Sequence, residues 1–127
     1  MTSSFDYATI RVVPRVEREE FVNAGVVVFC LELRFLAARA QVDEARLRAL
    51  WPEVDVERVR QQLAAFEAVC RGDADAGPIA RLSQRERFHW LVAPRSTNIQ
   101  TSAVHTGVTD DPQQTLEHLA KRMFERD

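Results

Sequence analysis

The ten residues from Phe21 to Cys30, FVNAGVVVFC, decide the fold. The stretch is too apolar to be anything but a buried strand, and Asn23 at its entry is an amide that needs a hydrogen-bond partner if it is buried. Upstream, Tyr7 to Val13 (YATIRVV) predicts a second strand. The polar connector Pro14 to Glu20 has about the length that joins neighbouring strands. We therefore expect a two-stranded ribbon with Arg11 and Asn23 near each other.

Further strand and helix patterns follow along the chain. Three more strands are predicted, the first with a composition that suits a helix equally well: Arg34–Gln41, Phe88–Ala93 and Asn98–His105. Helices are predicted after the N-caps Asp43, Asp55 and Asp111, the first two forming a hairpin. This order predicts an α+β fold, in which a mostly antiparallel sheet of about four to five strands carries helices packed on one face.

Composition limits the class of protein. The chain has 127 residues, and we expect one globular domain over residues 1–127. Its net charge of -2 gives no general reason to bind nucleic acid or anionic lipid. All basic residues except Lys121 are Arg, which either suits anion recognition or reflects codons rich in G and C. Cys30 and Cys70 are expected to be buried and reduced. With no leader or bilayer-length apolar run, we expect a cytoplasmic protein without membrane, metal or cofactor.

A set of polar side chains forms the candidate binding site. These side chains are mostly hydrogen-bond donors, and several carry the guanidinium forks that bind phosphate or carboxylate: Arg11, Asn23, Arg39, Arg95, Ser96, Gln100 and His105. The alternative is an internal network. In that network Asn23 bonds to the backbone and Arg11 pairs with Glu17, Glu19 or Glu20.

Catalysis and nucleic-acid binding have weaker support. Strand periodicity places His105 on one face with Ile99 and Thr101. The sequence contains residue types that could complete a catalytic triad with His105, namely Ser96 or Ser102 and Asp110 or Asp111. No nucleophile elbow surrounds either serine, and the histidines lack metal-ligand spacing. The segment 81–87 (RLSQRER) is basic, with Tyr7, Phe88 and Trp90 available for stacking, but no nucleic-acid motif is present.

Several motifs together resemble one bacterial family. They are RVVP at 11–14, EFVNAGVVVF at 20–29, LVAPRS at 91–96, Ile99-Gln100, VHTG at 104–107 and DDP at 110–112. As a set they resemble the family catalogued as domain of unknown function 3037, over nearly the whole chain. Ala103 stands where the family often has Pro. The resemblance implies an association with HipA-like kinase-fold proteins.

The sequence as a whole predicts a non-enzymatic accessory or protein-interaction module. A HipA-like kinase-fold protein is the partner that the resemblance implies, and a homodimer is left open. The alternative is a small phosphate- or anion-handling enzyme or a nucleic-acid-binding domain, with the Arg, Gln and His side chains as its binding group.

Overall fold

A computed structural model describes residues 1–125 of the chain. It contains five strands, which are β1 (Ser3–Val12), β2 (Val22–Cys30), β3 (Phe35–Ala40), β4 (Ile99–Thr101) and β5 (His105–Thr109). Its four helices are α1 (Glu44–Leu50), α2 (Val56–Arg71), α3 (Gln84–Val92) and α4 (Pro112–Phe124). The strands form one antiparallel sheet in the order β3-β2-β1, and the far edge of β1 pairs with both β4 and β5. The predicted α+β class with a mostly antiparallel sheet is confirmed.

The ribbon of β1 and β2 forms as predicted and carries a β-bulge. Ile10 pairs with Gly25 and Arg11 pairs with Asn23, so Ala24 is an extra residue on β2. Gly25 is needed beside this bulge because a Cβ there would lie 2.1 Å from the carbonyl oxygen of Arg39 on β3. The predicted proximity of Arg11 and Asn23 is confirmed.

The helices lie on both faces of the sheet, and not on one face as expected. On β1 the even-numbered Ala8 and Ile10 pack with residues of α1, α2 and α3, whereas the odd-numbered Phe5 packs with Leu116 and Ala120 of α4. Alternate residues of a strand point to opposite faces, so α4 covers the second face. This arrangement explains why β2 is apolar almost throughout, since both of its faces are buried.

Residues 88–93 were predicted as a strand, but residues 88–92 belong to α3 and Ala93 is its C-cap. The helix α3 begins with a capping box, in which Ser83 Oγ accepts a hydrogen bond from the Glu86 amide at 3.2 Å. The Glu86 carboxylate in turn accepts from the Ser83 amide at 3.4 Å. Phe88 and Leu91, three residues apart, are buried on one side of this helix, while Trp90 remains 42% exposed. Helical spacing of the apolar residues therefore replaces the strand alternation that the sequence suggested.

The single late strand predicted over 98–105 is two short strands separated by a break. Ile10 pairs with Thr101 on β4, and Tyr7 pairs with His105 on β5, so β1 spans fewer residues than its partner over this interval. The extra residue is a bulge, held by Ser102, whose hydroxyl accepts the Thr9 amide at 2.9 Å. Gly107, the expected end of the strand, lies inside β5.

The strand predicted over 34–41 and the helices predicted after three aspartate N-caps are confirmed. Side chains of Asp43, Asp55 and Asp111 cap α1, α2 and α4, and Gly72 ends α2 with a left-handed φ of 73°. Cys30 and Cys70 are both buried, one in the α4 cluster and the other in the opposite one. None of the helices within residues 1–125 combines the length and apolarity that crossing a membrane would take.

Candidate binding surface

The sheet brings three of the candidate residues into one row. Arg11 lies on β1 with Asn23 opposite it on β2 and Gln100 opposite it on β4. Cross-strand partners project from the same face, so the three side chains are neighbours on the face that α4 occupies farther along. The helix α4 lies over β2 and β3. The row itself is left partly open, with Asn23 exposed and Arg11 and Gln100 half-buried.

Arg11 has no carboxylate partner among the described residues. Its Nε atom is buried without a hydrogen-bond acceptor, and its guanidinium carbon lies 4.1 Å from the centre of the Phe21 ring. Two of the three acids proposed as partners are engaged elsewhere, and the third, Glu19, forms no ion pair with Arg11. Glu17 pairs with Arg15 at 2.9 Å, and Glu20 pairs with Arg18.

The pKa shifts of the connector residues agree with these two ion pairs. A backbone hydrogen bond and the bond from Arg15 lower the pKa of Glu17 below its ordinary value. The hydrogen bond to Glu20 raises the pKa of Arg18. The internal network considered for Arg11 is therefore absent from residues 1–125. Instead, a cation lies against an aromatic ring that is 44% exposed.

A second aromatic pair lies farther along β1 on the same face. The rings of Tyr7 and His105 are 5.2 Å apart between centroids. The bulge at residues 102–104 changes which face His105 shares. His105 projects from the same face of the sheet as Gln100, whereas Ile99 packs with the α1–α3 core on the other face. The expected grouping of His105 with Ile99 is therefore wrong. We define the open sheet surface as Tyr7, Arg11, Phe21, Asn23, Gln100 and His105.

The other three candidates lie outside this group. Arg39 on β3 is paired with Glu117 of α4 and borders the helix. Arg95 and Ser96 follow α3, and the Arg95 guanidinium lies over the Trp90 ring, on the face that carries α1–α3. The seven predicted residues therefore divide into the Arg11 row with His105, the Arg39 ion pair, and the Arg95 turn.

The histidine and one of the two serines considered for catalysis are engaged in other contacts. His105 is exposed and in contact with Tyr7, while Ser102 is occupied in the backbone, donating to the Ala103 carbonyl at 2.9 Å and accepting from the Thr9 amide. Within residues 1–125, no three His, Cys, Asp or Glu side chains are close enough to hold a metal ion. The open sheet surface offers hydrogen-bond donors and aromatic faces.

Two aromatic residues that contact candidate arginines were not predicted to do so from the sequence: Phe21 under Arg11 and Trp90 under Arg95. Phe21 was assigned to a buried strand, although it precedes β2 and stays exposed under Arg11. Its position next to the charged connector was the available signal. Trp90 was placed on the strand predicted over Phe88–Ala93. The S-x-x-E pattern from Ser83 to Glu86 was the signal for a helix there.

Comparison with known proteins shows the family and nothing finer. A family model described as "Protein of unknown function (DUF3037)" matches residues 7–124, which include every strand and helix apart from the first residues of β1. No curated protein and no solved structure matches the chain. The match covers the whole open sheet surface and agrees with the motifs at 11–14, 20–29 and 104–107. The chain therefore belongs to the DUF3037 family.

Proposed function

We propose that the chain is a non-enzymatic accessory module that binds a partner protein through the open sheet surface, with Arg11 engaging a carboxylate of that partner. The observation that carries the proposal is the state of Arg11. Its Nε is buried without an acceptor, no carboxylate of residues 1–125 pairs with it, and it lies on exposed Phe21. An unpaired buried donor costs stability, and such costs are typical of functional sites.

The chemistry of the surface supports a protein as ligand. Arg and aromatic residues are the types enriched at protein interfaces, and they often supply most of the binding energy. Here two such pairs lie along β1: Arg11 with Phe21, which precedes β2, and Tyr7 with His105 of β5. Asn23 and Gln100 flank Arg11. Gln100 Nε2 donates to the Thr97 carbonyl at 2.8 Å, which leaves its second N–H and the Asn23 amide to donate to the same acceptor as Arg11. An acidic side chain on a partner would satisfy the Arg11 guanidinium through paired hydrogen bonds.

The first partner to test is a HipA-like kinase-fold protein, which the family resemblance implies. A second copy of this chain is the other protein to test. The alternatives of a phosphate-handling enzyme and a nucleic-acid-binding domain have less support, because Arg95 and Ser96 lie apart from the Arg11 row. Moreover, Phe88 is 1% exposed and stacks on Phe29 at 5.1 Å, so it is not available to a base.

The test is affinity capture from a lysate of the native cell with three versions of the tagged chain. They are the parent, Arg11→Gln, and Arg15→Gln, the last a matched control because Arg15 is an exposed arginine on the neighbouring connector. We expect the parent and Arg15→Gln to retain the same protein in stoichiometric amount and Arg11→Gln to lose it. Equal retention by all three, or retention of only nucleic acid or a phosphate metabolite, contradicts the proposal.

A further inference from the structure

A separate recess lies on the α1–α3 face of the sheet. It has a volume of about 290 Å³, and its apolar wall comes from α2, α3 and β4 through Phe66, Val69, Leu91 and Ile99. This volume is near the lower end of the range for small-molecule sites. The recess and the open sheet surface are on opposite faces of the sheet, so the recess has no part in the function proposed above.

Among residues 1–125, Arg95 supplies the only charged side chain that lines this recess. Its guanidinium carbon lies 4.4 Å from the centre of the Trp90 ring. Nε donates to the Ala93 carbonyl at 3.3 Å, and Nη2 donates to the Trp90 carbonyl, so the last turn of α3 holds the group in place. No acceptor among residues 1–125 bonds to Nη1. The remaining polar lining comes from Gln62 and Thr97, which are neutral.

We infer that the recess binds a small amphipathic carboxylate, with Nη1 of Arg95 donating to the carboxylate and the apolar part of the ligand lying against Phe66 and Ile99. Charge complementarity supports this choice, because a fixed cation borders an apolar recess to whose lining the described part of the chain contributes no acidic side chain. A guanidinium held by backbone carbonyls loses little freedom when it binds, which favours a hydrogen bond to a charged acceptor. The exposed Trp90 ring reports on occupancy because it lies beside Arg95.

The test uses octanoate as the probe and octanamide as its neutral counterpart. Trp51→Phe leaves Trp90 as the single indole, so its fluorescence follows binding. We expect octanoate to shift the emission with saturation, and octanamide to bind about tenfold or more weakly, because it lacks the charge. Equal affinity for the two compounds, or no saturable change with octanoate, overturns the inference.

Two variants in the Trp51→Phe background separate the charge from the apolar wall. Arg95→Gln should weaken octanoate about tenfold or more and leave octanamide unchanged. Ala65→Phe places a large side chain into the recess from an exposed position of α2 and should remove binding of both compounds. Circular dichroism checks folding, since Arg95 also bonds to the end of α3. If Arg95→Gln does not fold, the comparison of octanoate with octanamide and the loss of binding in Ala65→Phe still test the inference. Undiminished octanoate binding by Ala65→Phe overturns the inference.

Discussion

Replacing Arg11 with Met should leave the fold as stable as before or more stable. Met keeps an unbranched apolar stem and removes the buried Nε, which has no acceptor. Relief of an unpaired buried donor is worth about 1 to 3 kcal/mol. The lost contact with Phe21, 4.1 Å from the guanidinium, is worth about 0.5 to 1 kcal/mol at an exposed site. We therefore expect the free energy of unfolding to rise by about 1 kcal/mol.

Arg87 provides a matched control for this change. Its Nε is also buried without an acceptor, but its two Nη atoms donate to the carbonyls of Leu82 at 2.9 Å and Cys70 at 3.3 Å. Arg87→Met relieves the same kind of unpaired Nε but orphans these two carbonyls, each worth a comparable amount, so the free energy of unfolding should fall by a net of about 1 to 3 kcal/mol.

Urea denaturation of both variants and the parent measures the two effects, provided the slope against denaturant stays the same. A loss of more than about 1 kcal/mol in Arg11→Met would mean that Arg11 has a structural partner, and the argument for a binding role would fail.

Three further changes test the fold. Gly25→Ala should lower the free energy of unfolding in urea by about 3 kcal/mol, because the new Cβ meets the Arg39 carbonyl at 2.1 Å; a cost below about 1 kcal/mol contradicts the close approach. Burial raises the pKa of Cys70 to about 12, so the folded thiol should resist alkylation at pH 8. The unfolded thiol ionises first, near 9.0, so the free energy of unfolding should fall as pH rises from 9.0 toward 12, and a Cys70→Val variant that falls equally refutes this. Ser83→Ala removes the cap of α3 and should lower the thermal midpoint, reflecting about 1 kcal/mol, and an unchanged midpoint contradicts the cap.

Elements with a long, single pattern were predictable from the sequence. The apolar run of β2 and the capped helical spacing of α2 gave both elements correctly, and the short connector placed Arg11 beside Asn23. The segment FHWLVA was ambiguous because a short apolar run fits a strand or a helix, and only its capping box decides for the helix. The face covered by α4 was not predicted, although the signal was present. Both faces of β2 are apolar, and a sheet with helices on only one face does not require that.

The candidate site was predictable only in part, because bulges change which face a residue occupies. One extra residue near Ser102 moves His105 to the face of Gln100, and no composition signal marks it. Arg95 was grouped with Arg11 and Gln100 as a guanidinium donor, while residues 88–93 before it were expected to form a strand. Once residues 84–92 form a helix, the turn after them lies on the other face, and Arg95 meets Trp90.

Titration calorimetry with the captured partner, once purified, measures the role of Arg11 most directly. The parent, Arg11→Gln and Arg15→Gln are compared at one salt concentration, with folding of each checked first. We predict that Arg11→Gln weakens binding about tenfold or more, because a partner carboxylate loses its charged donor, and that Arg15→Gln leaves the affinity within about twofold of the parent. Equal affinities for the parent and Arg11→Gln would contradict a binding role for the open sheet surface.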